Sequence, residues 1–316
     1  MKFTTYLLPA LLTVFFLPSG LKAQDINDKN SIDTVPVKLS FFKITSSYLS
    51  DAVYSGRKDS ARVPYLKTAI GYFDKSGFHA EVETSVLASP SETKRLDLVT
   101  AGAGYSFKLS KKLEGEVSAS KFFYTDASFA VQSELKAITG FSLGYDANIF
   151  AINTGVDLLF STGTDVMTNL KLSHYLERGP AAHLWTVTPS IELNAGTQHF
   201  NQAYFANRKF NFATTGNSGN GNRGNSGKGH ATSSGSTVKT LVFTGGYKFS
   251  ILDYELGLPL TYETNRFGAF ITPTYAIPVH PVEYLLDNKL EKEVLSNSFF
   301  IELGAFIKLN IHHKKT

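Results

Sequence analysis

An alternation of apolar and polar residues with a period of two recurs through this sequence from about residue 40 to its end. The stretch GFHAEVETSVL, residues 77–87, shows the pattern clearly. Successive side chains of a β-strand point to opposite faces, so one face of this strand is apolar. The other face carries His79, Glu81 and Glu83. The pattern predicts an all-β protein, and which face points inward decides what kind.

The connections between the predicted strands alternate between short and long. At Leu252-Asp253 the apolar phase flips without a Gly, Asn or Pro, which is typical of a β-bulge inside one strand. Residues 246–262 are therefore expected to form a single strand, and the total becomes about twelve. Only residues 283–295 weakly favour a helix. The short connections are residues 74–77, 110–112, 146–148, 177–180 and 264–268, and the long ones are residues 50–62, 88–95, 125–133, 161–166, 195–245 and 278–298.

Alternating short and long connections are typical of a β-barrel in an outer membrane. The width of a barrel of about twelve strands indicates which face of each strand points inward. About twelve strands enclose an interior too wide for side chains to fill, so an apolar lining would leave a large empty cavity. A polar lining would be wet, and the apolar face would then meet lipid. Aromatic residues are expected to form two belts at the membrane interfaces. Near the short turns these are Tyr72, Phe78, Tyr105, Tyr145, Phe150, Trp185, Tyr262 and Phe267, and near the long loops Phe122, Phe123, Tyr124 and Phe160.

These features predict a transmembrane antiparallel β-barrel of about twelve strands in a bacterial outer membrane, with short turns in the periplasm. A soluble exported β-sandwich or lipocalin-like barrel is the alternative. Three prolines within predicted strands, Pro189, Pro259 and Pro273, should lie at bulges or at a rim, because proline cannot donate to the ladder.

The first residues predict export. Lys2 and the apolar residues 6–17 are typical of a secretory signal peptide, expected over residues 1–23. A periplasmic segment, residues 24–38, then precedes the barrel, residues 39–311. Within the barrel, the Gly/Asn/Ser-rich residues 213–237 are expected to be a disordered extracellular loop. The chain has no cysteine, which excludes disulfides and cysteine-ligated metals, and its net charge of +4 without a basic cluster argues against nucleic acid as a partner.

Several stretches resemble the outer-membrane β-barrel proteins of Bacteroidota: KAQ at residues 22–24, LDYELGLPLTYE at 252–263, ITPTYAIPVHP at 271–281 and SFFIELGAFIKL at 298–309. The resemblance implies a barrel fold, an outer-membrane location, and contact with outer-membrane lipid and the barrel-insertion machinery. It carries over no catalytic residue. Such proteins usually end on an aromatic residue that this machinery reads, whereas this chain continues through IHHKKT, so either an internal signal at residues 306–309 or a weak signal is expected.

A passive or weakly selective channel for small solutes is the function that this pattern favours. Carboxylates in the lumen would bias conduction toward cations. No metal site is expected at His79, Glu81 and Glu83, because ligands two apart on a strand are about 6.5–7 Å from each other. A charge network with Lys67, Lys171 or Lys308 is expected instead. The predicted lumen-lining residues are His79, Glu81, Glu83, Glu114, Glu116, Asn153, Asp157, Lys171, Glu192, Glu302 and Lys308.

Two other functions stay open. A closed structural or surface-interaction barrel would bind a glycan or a protein through its outer loops, where aromatic and basic residues are mixed. An outer-leaflet hydrolase is less favoured, because no Gly-x-Ser-x-Gly elbow is present and the adjacent Ser173 and His174 point to opposite faces. No cofactor is expected. The candidate outer-loop residues are Tyr204, Phe205, Arg208, Lys209, Phe210 and Phe212.

Overall fold

The computed structural model describes most of the region predicted to be the barrel. Residues 1–38, which hold the predicted signal peptide and periplasmic segment, lie outside the described residues, as do residues 200–240 with the predicted disordered loop. The described residues are 39–59, 62–89, 93–125, 128, 130–161, 163–180, 182–199, 241–244, 248–286 and 289–311.

Eighteen strands follow one another along the described chain. They are β1 (Phe41–Leu49), β2 (Tyr65–Phe73), β3 (Phe78–Leu87), β4 (Arg95–Lys108), β5 (Leu113–Tyr124), β6 (Ala137–Asp146), β7 (Ala151–Phe160), β8 (Thr164–Ser173), β9 (Leu176–Arg178), β10 (His183–Val187), β11 (Ser190–Gly196), β12 (Leu241–Thr244), β13 (Ser250–Gly257), β14 (Leu260–Thr264), β15 (Phe267–Pro278), β16 (Glu283–Leu286), β17 (Lys289–Lys292) and β18 (Ser298–Asn310).

Antiparallel pairing closes fifteen of these strands into one barrel. Neighbours in sequence pair from β1 to β8, β8 pairs with β11, β11 with β13, β13 with β15, β15 with β18, and β18 with β1. Three of the barrel strands each consist of two segments that are separated by two residues. These pairs of segments are β8 and β9, β10 and β11, and β13 and β14. The result is the closed barrel of twelve antiparallel strands that the sequence predicts. Closure leaves no free sheet edge.

The three strand prolines lie in adjacent barrel strands rather than at a rim. Pro189 and Pro259 fall at interruptions, and Pro273 lies inside β15. Each accepts a hydrogen bond from the neighbouring strand but returns none, so three ladder bonds are missing in one diagonal row. The bonds that remain run from His174 N to Pro189 O (3.1 Å), from Thr188 N to Pro259 O (2.8 Å) and from Leu258 N to Pro273 O (3.1 Å).

The predicted bulge is present at Leu252. Asn194 pairs with Asp253, but the next residue, Ala195, pairs with Ile251, so Leu252 has no partner on β11. Both Leu252 and Asp253 are completely buried. The bulge therefore turns two successive side chains away from the outer face.

The connections at the two ends of the barrel differ in length, with two corrections to the prediction. Phe160 pairs directly with Thr164, and the Ser161 amide donates to the Gly163 carbonyl at 2.9 Å, so the connection between β7 and β8 is short and not a long loop. Residues 283–295 form no helix but the hairpin β16–β17, which pairs with β12 in a separate three-stranded sheet. In the described residues, no helix is long and apolar enough to cross a membrane.

The outer face of the barrel is apolar and exposed. Ile70 and Val82 face each other on β2 and β3 with 56% and 50% of their surface exposed. A soluble protein rarely exposes a continuous apolar band of this kind. Other exposed apolar residues of this face are Ile44, Leu66, Val117, Phe141, Val156, Leu170, Ile191, Leu256, Ile271, Leu303 and Ile307.

Aromatic residues lie at both ends of this apolar face, with two corrections. Near the short turns Phe78, Tyr105 and Trp185 are exposed, and the rings of Trp185 and Tyr262 lie 4.8 Å apart. At the long-loop end Phe123 is exposed. Phe122 and Tyr124 belong to the opposite face, where their rings stack on each other and Phe122 packs against buried residues. The alternation along β5 explains the difference, because neighbouring residues point to opposite faces.

Candidate functional site: the inner face of the barrel

Ion pairs across neighbouring strands occupy the middle of the inner face. Lys67 Nζ lies 3.1 Å from Glu83 Oε2 and 3.3 Å from Glu302 Oε1. Ser47 Oγ donates a hydrogen bond of 2.7 Å to the same Glu302 oxygen. Side-chain exposures of 22% to 28% within this group show that solvent reaches the inner wall. Of the three lysines proposed as partners of the β3 carboxylates, only Lys67 contacts one.

The remaining predicted cations have other partners. Lys171 Nζ lies 3.3 Å from Glu192 Oε2, and Lys308 Nζ lies 3.1 Å from Glu263 Oε1. His79 faces Glu116, with Nε2 3.7 Å from Oε1. Ser106 Oγ donates to the other oxygen of Glu116 at 3.4 Å.

Long polar side chains lie along the wall and above glycines of the neighbouring strand. A Cβ on Gly71 would come within 3.1 Å of Glu81 Oε2, and one on Gly104 within 2.5 Å of His79 Nε2. Because the glycines have no side chain, their neighbours can lie flat instead of crossing the lumen. The same arrangement holds Asn153 and Glu114 over Gly144, Asp157 over Gly140, and Asn169 over Gly155.

An aromatic and basic layer lines the inner face near the short turns. The rings of Phe41 and Phe73 stack at 5.0 Å. Lys43 Nζ lies 4.8 Å from the centre of the Phe306 ring, and Lys308 Nζ lies 5.4 Å from it. These are cation–π distances, so the layer holds lysines against ring faces.

A tight turn from the first long connection lies over the other end of the barrel. We call residues Tyr54, Ser55, Gly56 and Arg57 the L1 turn. Tyr54 and Arg57 exchange backbone hydrogen bonds of 2.8 and 3.0 Å, and both central residues have positive φ (47° and 72°). That geometry is a type I′ turn. A Cβ on Gly56 would come within 2.8 Å of the Asp253 Cβ, so only glycine allows the turn to approach β13 so closely.

Arg57 ties the L1 turn to two other connections. Its guanidinium donates to Gln198 Oε1 at 2.8 Å and to the His280 carbonyl at 3.0 Å, and Nε lies 3.4 Å from Glu293 Oε2. Only 3% of the Arg57 surface is exposed. Glu293 also accepts a hydrogen bond from the Val282 amide at 3.1 Å. We call this set of contacts the Arg57 clasp.

A small apolar core packs beneath the L1 turn. It consists of inner-face residues of the strands and of residues from the connection after β5, with Tyr54 against its edge. Burial, followed by the carboxylates of Asp157 and Asp165, raises the pKa of the Tyr54 phenol above its ordinary value, so Tyr54 stays neutral here. We call this cluster the loop-end core: Val131, Leu135, Leu159, Met167 and Leu252.

Two buried aspartates anchor further connections at this end. Asp97 accepts hydrogen bonds from Ser128 Oγ at 2.7 Å and from Tyr65 Oη. Asp165 lies 2.7 Å from His199 Nδ1. Sequence reasoning missed Arg57, Asp97 and Asp165. The one signal available was a charged residue at or just beyond the long-loop end of a strand, which is too common to single them out.

At the opposite end, the turn after β2 is held by its own aspartate. The Asp74 carboxylate accepts hydrogen bonds from Ser40 Oγ at 2.7 Å, Tyr72 Oη at 2.8 Å and the Ser76 amide at 2.9 Å. Hydrogen bonding from the Ser76 side chain, followed by that from Ser40, the Ser76 amide and Tyr72, holds the pKa of the Asp74 carboxyl well below its ordinary value.

The structure gives no placement for the candidate outer-loop surface, because Tyr204 to Phe212 lie outside the described residues. Among the described residues, no group of three or more His, Cys, Asp or Glu side chains is arranged to hold a metal ion. The role of the inner-face residues as the lining of a channel stays a prediction.

Comparison with known proteins gives distant structural likenesses only. No protein-family model matches the sequence, and no curated protein matches it. A structure of the NanC porin is 11% identical, covers 85% of this chain and 100% of its own, and has a TM-score of 0.40. LpxR from Salmonella typhimurium is 8% identical, with coverages of 84% and 99% and a TM-score of 0.43. A bacterial polysaccharide outer membrane secretin is 9% identical, with coverages of 87% and 99% and a TM-score of 0.36. Because these scores are below 0.5, the barrel assignment rests on the strand pairing.

Proposed function

We propose that this protein is an outer-membrane channel for small hydrophilic solutes. The observation that carries the proposal is the contrast between the two faces of one closed sheet. The outer face is a continuous apolar band with aromatic residues at its ends, which suits lipid. The inner face carries partly solvated ion pairs, and its long side chains lie over glycines along the wall. A wet lumen with its side chains against the wall leaves room for solutes.

A closed barrel is the second candidate, and the L1 turn favours it. The Arg57 clasp and the loop-end core hold that turn against the inner face, where it narrows the long-loop end. If the turn stays in place, the lumen would be water-filled but would not conduct. A structural or surface-binding role through the outer connections would then be the better description.

Single-channel conductance in a planar bilayer separates these two functions. The full-length protein is refolded in detergent, and a migration shift between heated and unheated samples shows that the barrel is folded. Stable conductance steps support the channel. Silence from folded protein, inserted at a density confirmed by labelling, refutes the channel and leaves the closed barrel. The location is tested separately, by fractionating inner and outer membranes of the native host.

A further inference from the structure

We infer that an acidic group under the L1 turn, formed by Glu192, Asp253 and Glu255, makes the channel select small cations. This inference rests on the proposed function. Two of the three residues, Asp253 and Glu255, are absent from the lumen residues that the sequence predicts.

The β-bulge brings these carboxylates together. Because Leu252 is the extra residue, it enters the loop-end core, and Asp253 and Glu255 follow on the inner face of β13. Tyr254 and Leu256, which alternate with them, are exposed on the outer face. Without the bulge, the residues on one side of Leu252 would point to the wrong face.

Strand register places like charges opposite each other in this group. Glu192 pairs with Glu255 on one side and with Lys171 on the other. Lys171 contacts Glu192 at 3.3 Å, so one lysine stands beside three carboxylates. Like charges directly opposite on antiparallel strands repel each other. By comparison, one lysine serves two carboxylates in the Lys67 group, and Lys308 pairs with Glu263 alone.

The burial of Asp253 is a second and independent indication that a cation is stabilised next to this acidic group. It is completely buried, and neither carboxylate oxygen has a hydrogen-bond partner among the described residues. Its partner in the strand register is Asn194, Glu255 lies two residues further along β13, and Arg57 of the L1 turn is already engaged in the clasp. A buried carboxylate without a hydrogen bond is unfavourable, and a cation in the adjoining lumen would lower that cost.

The location of the group gives it control over passage. The backbone of Gly56 in the L1 turn lies directly against Asp253, so the acidic group begins immediately beneath this turn. In a narrow passage with low-dielectric walls, fixed charge of one sign raises the local concentration of the opposite ion. Small cations therefore concentrate at this level, and anions are repelled.

Reversal potentials across a KCl gradient test the inference. The double variant Asp253→Asn with Glu255→Gln should lower the ratio of potassium to chloride permeability about threefold or more. The isosteric control Glu81→Gln removes one carboxylate elsewhere on the inner face and should change the ratio much less. Lys171→Gln removes the only lysine of the group and should raise the ratio, so it tests the same idea with the opposite sign, even if the double variant does not fold.

The outcomes separate this inference from the proposed function. A conducting wild type whose permeability ratio is the same in the double variant, or unchanged by Lys171→Gln, overturns the inference and leaves the channel standing. A larger shift with Glu81→Gln than with the double variant overturns it as well. A folded wild type that never conducts overturns both.

Discussion

Replacing Arg57 by alanine should release the L1 turn while the barrel stays folded. The change removes the hydrogen bonds to Gln198 and to the His280 carbonyl and the ion pair with Glu293. The side chains of this ion pair are 2% and 8% exposed, so Glu293 would be left as a buried charge. Breaking a buried ion pair in this way costs about 3–5 kcal/mol. The ladder of twelve strands does not depend on these contacts, so the cost falls on the connections.

Hydrogen exchange of the peptide that covers residues 50–64 measures this effect directly. A loss of about 3 kcal/mol corresponds to about a hundredfold increase in the opening equilibrium of the turn. Arg62→Ala is the matched control, because Arg62 belongs to the same connection but is exposed and makes a hydrogen bond to the Ser50 carbonyl at 3.3 Å. In the bilayer, Arg57→Ala should give larger or more strongly fluctuating conductance steps than Arg62→Ala.

The reasoning fails if Arg57→Ala keeps wild-type protection in this peptide. The turn would then be held by the loop-end core alone. It also fails if protection is lost equally throughout the barrel strands, because the clasp would then support the whole fold and not one turn.

Three further predictions concern the wall, the core and a turn. Gly140→Ala places a methyl group on the Asp157 carboxylate and should push it into the lumen, which lowers single-channel conductance in protein that still folds. Leu159→Ala opens a cavity in the loop-end core and should cost about 2–5 kcal/mol in urea unfolding, whereas the exposed Leu158→Ala should cost less. Because its folded pKa is lowered, Asp74 stabilises its turn above the ordinary aspartate pKa of about 4 and loses this effect as the pH falls further. Asp74→Asn should abolish that pH dependence in the hydrogen exchange of the turn.

The local sequence pattern was sufficient to predict the barrel because the strands of its wall alternate regularly between an inner and an outer face. The alternation in residues 77–87 assigns each side chain to a face, and a one-residue slip would move every side chain to the other face. The phase flip at Leu252 was readable for the same reason. The prediction of secondary structure was wrong where the local sequence pattern and the tertiary surroundings favour different structures. Residues 283–295 have a weak helical period, but pairing with β12 makes them a hairpin.

The inner-face contacts were only partly predictable. Face assignment follows from parity, but which lysine meets which carboxylate depends on register between strands far apart in sequence. Lys67 reaches Glu302 across 235 positions of the chain. The prediction therefore placed these residues on one face but left open which of Lys67, Lys171 and Lys308 contacts the β3 carboxylates.

The sequence by itself determined an antiparallel all-β chain of about twelve strands with one apolar and one polar face, because side-chain alternation is a property of each strand alone. Only the tertiary structure decided how the long-loop end is organised. Arg57 gains its role from two connections that meet it in space, and Asp253 gains its burial from the turn that covers it. Such contacts depend on the closure of the barrel, which brings distant connections to one rim, and no local period records them.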